Sequence, residues 1–233
     1  MRNFLPLMAL TVLVIGLATL PAAAMKTIEE HQDLQGPFTD GPSVTTACLD
    51  CHDDVAHDFM KTSHWTWMPM QDVVGKGEIA LGKRNTLNNF CIAVDSNWPR
   101  CTSCHAGYGW KDATFDFSDA TKVDCLVCHD ATGKYRKFPT GAGHPVYKPT
   151  EWQGKIWEPI DLASVARAVG KPSRANCGAC HFSGGGGNNV KHGDMEKALT
   201  APGRELDVHM SPAGGDFSCQ ECHTTEDHDI KGN

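Results

Sequence analysis

Positive charge is in short supply. The sequence has 21 Lys and Arg against 28 Asp and Glu, for a formal net charge of -7. Such a chain offers no basic footprint to the phosphates of DNA or RNA, which excludes nucleic-acid binding. Acidity of this size serves ordinary solubility. Apolar runs are scarce as well: after residue 24 no stretch is long or apolar enough to span a membrane. Clear apolar–polar alternation is missing, so little or no sheet is expected. No segment recurs at a fixed long period, which excludes a solenoid or propeller.

The first residues are the exception to this polarity. Met1-Arg2-Asn3 is a short positive start, Phe4 to Leu20 is almost wholly apolar, and Pro21-Ala22-Ala23-Ala24 offers an A-x-A cleavage site before Met25. This reads as a secretory signal over residues 1–24, with an uncleaved membrane anchor as the alternative. Export to the periplasm follows from it, with residues 25–233 as the working domain.

Cysteine is abundant, and its spacing carries the chemistry. Ten of the 11 cysteines fall into five copies of one pattern: Cys48/Cys51/His52, Cys101/Cys104/His105, Cys125/Cys128/His129, Cys177/Cys180/His181 and Cys219/Cys222/His223. C-x-x-C-H is the attachment signature of c-type haem. Two thioether bonds fix the porphyrin, and the next residue reaches the iron with an imidazole nitrogen. A single copy would suit a zinc ribbon or a disulfide framework equally well. Five copies that use every cysteine except Cys91 read as five covalent haems c. Cys91 has no free partner for an internal disulfide.

A chain of this length cannot bury both a large side-chain core and five porphyrins. The expected fold is a mainly α, loop-rich multihaem cytochrome c in which the haems form the core, each motif flanking an apolar cleft. Gly (23) and Pro (13) are frequent, as wrapping loops require. A short helix is expected over Ser164–Gly170. Another is expected through the first motif, with His57 and His64 about two turns apart on one face. Ser183–Asp194, rich in glycine, reads as a loop that brings backbone close to something. The second and third motifs, closest in sequence, are expected to hold a tight haem pair. The six tryptophans, Trp65, Trp67, Trp98, Trp110, Trp152 and Trp157, are expected to line several haem clefts.

Each iron has a second axial position to fill. Twelve histidines less the five in the motifs leave His31, His57, His64, His144, His192, His209 and His228. All of these except His31 are carried forward as candidate distal ligands. Bis-histidine ligation fills the iron and favours electron transfer over ligand binding.

Beyond the motifs, the sequence resembles the octahaem tetrathionate reductases. The resemblance runs through most of residues 25–233. It is carried by LQGPF (34–38), KTSHWTW (61–67), NNFC (88–91), RCTSCHAGYGWKD (100–112), KVDCLVCHD (122–130), GHPVY (143–147), PSRANCGACHFSGGGG (172–187), VKHGDM (190–195), DVHM (207–210) and CHTTEDHDI (222–230), together with the first C-x-x-C-H. The resemblance implies that the iron at Cys101/Cys104 is ligated by a lysine, Lys191, and is the active site. It implies that Cys91 lies beside that iron, with Asn88 next to it. A lysine nitrogen must lose its proton to bind iron, and a thiol nearby can hold or exchange sulfur. Two departures stand out. Asn188 occupies a position where the family carries an aspartate, three residues before the lysine. The family has eight haems, so the five motifs here correspond to its N-terminal five-haem portion.

The functions in view differ in class. One is a reductase acting on a small oxyanion, such as tetrathionate or nitrite, or on hydroxylamine, at a Lys191-ligated haem. The second is a non-catalytic electron carrier. The third is an extracellular conductive or storage assembly. Partners would be redox proteins, quinol-linked or periplasmic cytochromes, with self-assembly an option. Lys191 and Cys91 favour the reductase; the smaller haem number favours the carrier.

Overall fold

Regular structure comes in short pieces, and four of the seven α-helices among the described residues end within a motif. The computed structural model describes residues 28–86, 93–191 and 193–231. The order is α1 (Gly41–Leu49), α2 (Val55–Phe59), α3 (Ser63–Thr66), a ribbon of β1 (Met70–Val73) and β2 (Gly77–Ala80), α4 (Trp98–Cys101), α5 (Cys125–His129), a ribbon of β3 (Thr150–Trp152) and β4 (Lys155–Trp157), α6 (Leu162–Arg167), α7 (Arg174–His181), and a ribbon of β5 (Thr225–Glu226) and β6 (Asp229–Ile230). The three ribbons are antiparallel and separate from one another. The chain is therefore helix-rich and loop-rich, with little sheet.

Caps set the helix starts. Asp40 and Ser43 close a capping box on α1, and Ser173 and Asn176 do the same on α7. Asp161 accepts the Ser164 N–H at 3.1 Å and opens α6. That helix starts two residues earlier than expected and ends at Arg167. Its exit is drawn to the third motif, where the Gly170 N–H donates to the His129 carbonyl at 2.8 Å. The long helix expected through His57 and His64 is broken into α2 and α3. Thr62 turns extended between them and its hydroxyl donates to the Phe59 carbonyl at 2.7 Å. Trp67, left-handed at φ 52°, then ends α3.

Apolar burial is modest and divided. One cluster gathers Ala56, Phe59, Trp65, Ala106, Val123 and Val127; the other gathers Val44, Leu126, Leu162, Val165 and Ala166. Leu126 and Val127 are neighbours on α5, so the third motif's helix serves both clusters. Tyr135 packs against each of them. Among the described residues no helix is long and apolar enough to cross a membrane.

A buried polar group stands between the second and third motifs. Asp124 accepts hydrogen bonds from the Tyr108 hydroxyl (2.7 Å), the Tyr135 hydroxyl (2.9 Å) and the Val127 N–H (3.1 Å). Lys137 Nζ lies 3.1 Å from its other side and also donates to the His105 carbonyl. Both side chains of this ion pair are almost fully buried. Removing one partner of such a pair strands the other charge in a site without water. Asp124→Asn is expected to destabilise the haem-loaded protein by about 3 kcal/mol, read as a lowered guanidinium midpoint. An unchanged midpoint would mean that the pair is solvated.

Candidate haem-binding site

Each motif sits on a helical turn, which places the two cysteines, three residues apart, on one face and the histidine one residue further round. The first motif begins in the last turn of α1 and runs past its end, the second runs from α4 into a 3-10 turn, the third is α5, the fourth is the last turn of α7, and the fifth starts on a 3-10 turn at Cys219–Glu221. All ten motif cysteines are free thiols.

Burial separates these ten. Eight are partly buried, but Cys51 and Cys222 are exposed. The expectation of an apolar cleft flanking every motif is corrected at these two positions. The reason is where each helical turn stops. Cys51 lies two residues past the end of α1, in a turn that packs into neither apolar cluster, and Cys222 follows the last 3-10 turn, beside a ribbon whose residues are mostly exposed. In both motifs it is the first cysteine that points inward: Cys48 meets Cys125, and Cys219 meets Cys177. A porphyrin held at Cys51 or Cys222 would therefore have its second thioether at the solvent edge.

The motif histidines show how an iron would be held. His129 Nδ1 bonds the Gly170 carbonyl at 2.9 Å, His181 Nδ1 the Gly193 carbonyl at 2.7 Å, and His223 Nδ1 the Lys231 carbonyl at 2.9 Å. A proton held on Nδ1 leaves the Nε2 lone pair for a metal, the arrangement of metal-binding histidines in general.

Three histidine pairs then face each other. His31 and His52 have ring centres 6.2 Å apart and nearly parallel planes (16°). His64 and His181 are also 6.2 Å apart, at 74°. His129 and His228 repeat the 6.2 Å spacing at 56°. Two imidazoles on opposite faces of one iron, with metal–nitrogen bonds of about 2 Å, have ring centres roughly 6 Å apart. The spacing matches a shared metal. His31 Nδ1 is also buried without a hydrogen-bond partner. Burial, followed by the facing motif histidine, holds both His64 and His228 below the ordinary histidine range and hence neutral. Haem fits these three sites. His31, left out of the narrower ligand set read from the sequence, is therefore one of the facing residues. His228 is delivered by the tight β5–β6 turn, in which Asp227 and His228 are both left-handed.

The second motif is built differently. His105 is fully buried, and its Nε2 bonds the Trp65 carbonyl at 2.8 Å, leaving Nδ1 orphaned. Desolvation drives its pKa down to about 3. Trp65, Trp67 and Trp110 surround the ring at centre distances of 5.0, 5.5 and 5.0 Å, with Phe115 and Phe117 behind. Presenting Nε2 to an iron here requires the ring to leave the Trp65 carbonyl. Trp98 joins this aromatic group through Trp110. Trp152 and Trp157 do not: they pack on Phe138 and on each other at the β3–β4 ribbon.

Lys191, although it follows the fourth motif, lies near enough to the second for its charge to act on Cys104. The Gly-rich loop after α7 makes this possible. A side chain at Gly184 would lie 2.1 Å from the Cys180 carbonyl oxygen, and one at Gly185 would lie 2.4 Å from Asp194 Oδ2. Asp194 gathers the Gly185 and Lys191 N–H groups (3.0 and 3.2 Å), while the Met195 N–H returns to the His181 carbonyl at 2.7 Å. The loop therefore closes on the helix end that carries Cys180. The Cys180 thiol in turn hydrogen-bonds Cys104. That bond, above all, pulls the Cys104 thiol down to about 5, with Lys83, Lys191 and Lys137 adding their charge. Asp194 and Lys83 are the residues that sequence reasoning missed. Only the repeated glycines hinted at a close approach.

The remaining candidates divide. Asn188 lies on the outside of the loop, accepting from Ser183 Oγ (2.9 Å) and the Lys197 N–H (3.1 Å) and donating to Glu196. His144 stacks on Tyr108 at 5.3 Å, and its Nδ1 bonds the Tyr147 hydroxyl at 2.7 Å. His209, exposed, stacks on Phe217, and His57 is exposed on α2. Asn88, Cys91 and His192 lie outside the described residues. Thiols of different motifs come within hydrogen-bonding reach as Cys48 with Cys125, Cys104 with Cys180, and Cys177 with Cys219. The second motif's thiol contact is thus with the fourth motif. Its link to the third runs through backbone, by the Gly107–Val123 bridge and the Asp124 N–H to the Ala106 carbonyl at 3.0 Å. Among the described residues no group of three or more Cys, His, Asp or Glu is disposed to hold a bare metal ion, as a zinc ribbon would need.

Comparisons with known proteins agree with this geometry. The family described as Cytochrome c554 and c-prime matches residues 47–130, which hold the first three motifs. A solved structure, the octahaem cytochrome c from Shewanella oneidensis, is 53% identical over 87% of this chain, with a TM-score of 0.75. The match takes in 43% of that protein's length. No curated protein matches the chain. The likeness reaches an octahaem cytochrome c and does not reach tetrathionate as a substrate. Repeated haem motifs, imidazoles held through Nδ1 and histidine pairs spaced for a shared iron meet in a chain that belongs to the multihaem c-type cytochromes, proteins that bind haem covalently and transfer electrons.

Proposed function

We propose that this chain carries five covalent haems c in the periplasm and passes electrons to a small oxyanion reduced at the second motif. The observation that carries the reading is the nearness of Lys191 to Cys104, at a motif whose histidine is buried among aromatic rings and, among the described residues, is faced by no second imidazole at the 6.2 Å spacing. A haem iron supplies reversible one-electron chemistry and an axial position for a ligand. This chain's own residues decide which irons stay closed. His31, His64 and His228 are suited to close the first, fourth and third motifs as distal ligands to irons bound by His52, His181 and His129. Lys191 is a more readily displaced ligand for the second, since an amine competes with a proton. Cys91, ten residues before Cys101, and Asn88 are given a part in the same reaction by the resemblance alone. Asn188 is better suited to bracing the loop than to donating a proton.

Thiol contacts that link the first motif to the third, the second to the fourth and the fourth to the fifth support a run of adjacent haems. The exposed thiols Cys51 and Cys222 belong to the first and fifth motifs, so haem edges at those two are suited to exchange electrons with a partner. A plain electron carrier is the second reading. It is favoured by the bond between His105 Nε2 and the Trp65 carbonyl, which keeps that imidazole from an iron. Redox proteins such as quinol-linked or periplasmic cytochromes are the partners either reading needs.

Alkaline pyridine spectra of purified protein should return five haems c per chain; fewer would remove a motif from the account. His31→Ala, His64→Ala and His228→Ala should each keep all haems attached and convert one from low to high spin in electron paramagnetic resonance. Lys191→Ala should alter one haem only. Cys91→Ser should leave every haem in place and lower reduction of nitrite, hydroxylamine or tetrathionate by about 10- to 100-fold; equal activity with all three would favour the carrier.

A further inference from the structure

Lys83 is a second cation at the Lys191 site, and nothing in the haem motifs accounts for it. It is carried by the turn after β2, which presses against Trp67. A side chain at Gly82 would lie 2.0 Å from the Trp67 carbonyl oxygen, so only glycine allows the approach. The Arg84 N–H then donates to that carbonyl at 3.3 Å, and Lys83 Nζ rests 4.9 Å from the centre of the Trp67 ring. From there the half-buried ammonium comes within hydrogen-bonding reach of Lys191, and its charge acts on both Cys104 and Cys101. The ion pairs among the described residues use Lys61, Lys122, Lys137, Arg174 and Lys231, and neither Lys83 nor Lys191 has a carboxylate in them.

Two ammonium groups side by side in a half-buried place repel each other and attract an anion. Once the motif cysteines are thioethers they carry no charge to offset this. Once Lys191 gives its lone pair to a metal it is neutral, and Lys83 remains the positive group beside the exchangeable position. We propose that Lys83 is the anion-recognition residue of this site, selecting small oxyanions over neutral ligands of similar size. This inference rests on the proposed ligand exchange at the second motif. The competing role for the same charge is to neutralise a haem propionate.

The test uses haem-loaded protein and reads binding rather than turnover. Nitrite, an anion, and hydroxylamine, neutral at mildly alkaline pH, are titrated separately while the Soret band is followed. Lys83→Gln is expected to weaken nitrite binding by about tenfold or more, to leave hydroxylamine binding within about twofold, and to recover nitrite binding in Lys83→Arg. Equal weakening of both probes would overturn the proposal in favour of a structural role. Unchanged nitrite binding with a shifted haem potential would overturn it in favour of the propionate. If wild-type protein binds neither probe, the ligand-exchange reading itself fails and takes this inference with it.

Discussion

An imidazole offers one nitrogen to a metal in a fixed direction only when its other nitrogen is held. The carbonyls of Gly170, Gly193 and Lys231 do this for His129, His181 and His223. All three lie downstream of the motif they serve, so the chain after each motif must fold back on its own helix end. That requirement explains why the helices are short and why the connections are long. It also explains the left-handed turns near these returns, at Gly193 before Asp194 and at Asp227–His228 in the last ribbon. The apolar clusters alone are small, and a chain folded around porphyrins has little need of larger ones.

The second motif breaks this pattern, and the contrast is informative. His105 is the most enclosed of the motif histidines, and its Nε2 is engaged by protein, at the Trp65 carbonyl. Its backbone is braced by Lys137, whose partner Asp124 ties the third motif's helix to Tyr108 and Tyr135. A loop from the fourth motif and a turn from the β1–β2 ribbon then bring two lysines to it. The positions where imidazoles face each other and the cationic one are thus made by different means: paired histidines at three motifs, and returning loops at the second.

Much of this was legible in the amino-acid sequence. Covalent attachment could be read because the thioether-and-imidazole chemistry is local, confined to five residues. How deeply each anchor sits was not, because the exposure of Cys51 and Cys222 is set by what packs over their turns. The start of α1 and the end of α6 were less legible, because caps such as Asp40 and pulls such as Gly170 on His129 depend on tertiary neighbours. Distal ligands were the least legible, since a histidine's partner is set by where a loop returns. Sequence alone passes over His31 for that reason, although it faces His52, and favours His57 and His209, which lie exposed. Lys191 came from family resemblance, and the Asp194-closed loop gives that resemblance a physical cause. Lys83 had no sequence signal, because its placement follows from the approach of Gly82 to Trp67.

A crystal structure of the haem-loaded protein is the measurement that tests the central claim most directly. The account predicts irons between His31 and His52, between His64 and His181 and between His129 and His228, and a fourth iron between His105 Nε2 and Lys191 Nζ, with the Trp65 carbonyl released. A histidine in place of Lys191 on that iron, or Lys191 turned into solvent, would contradict it.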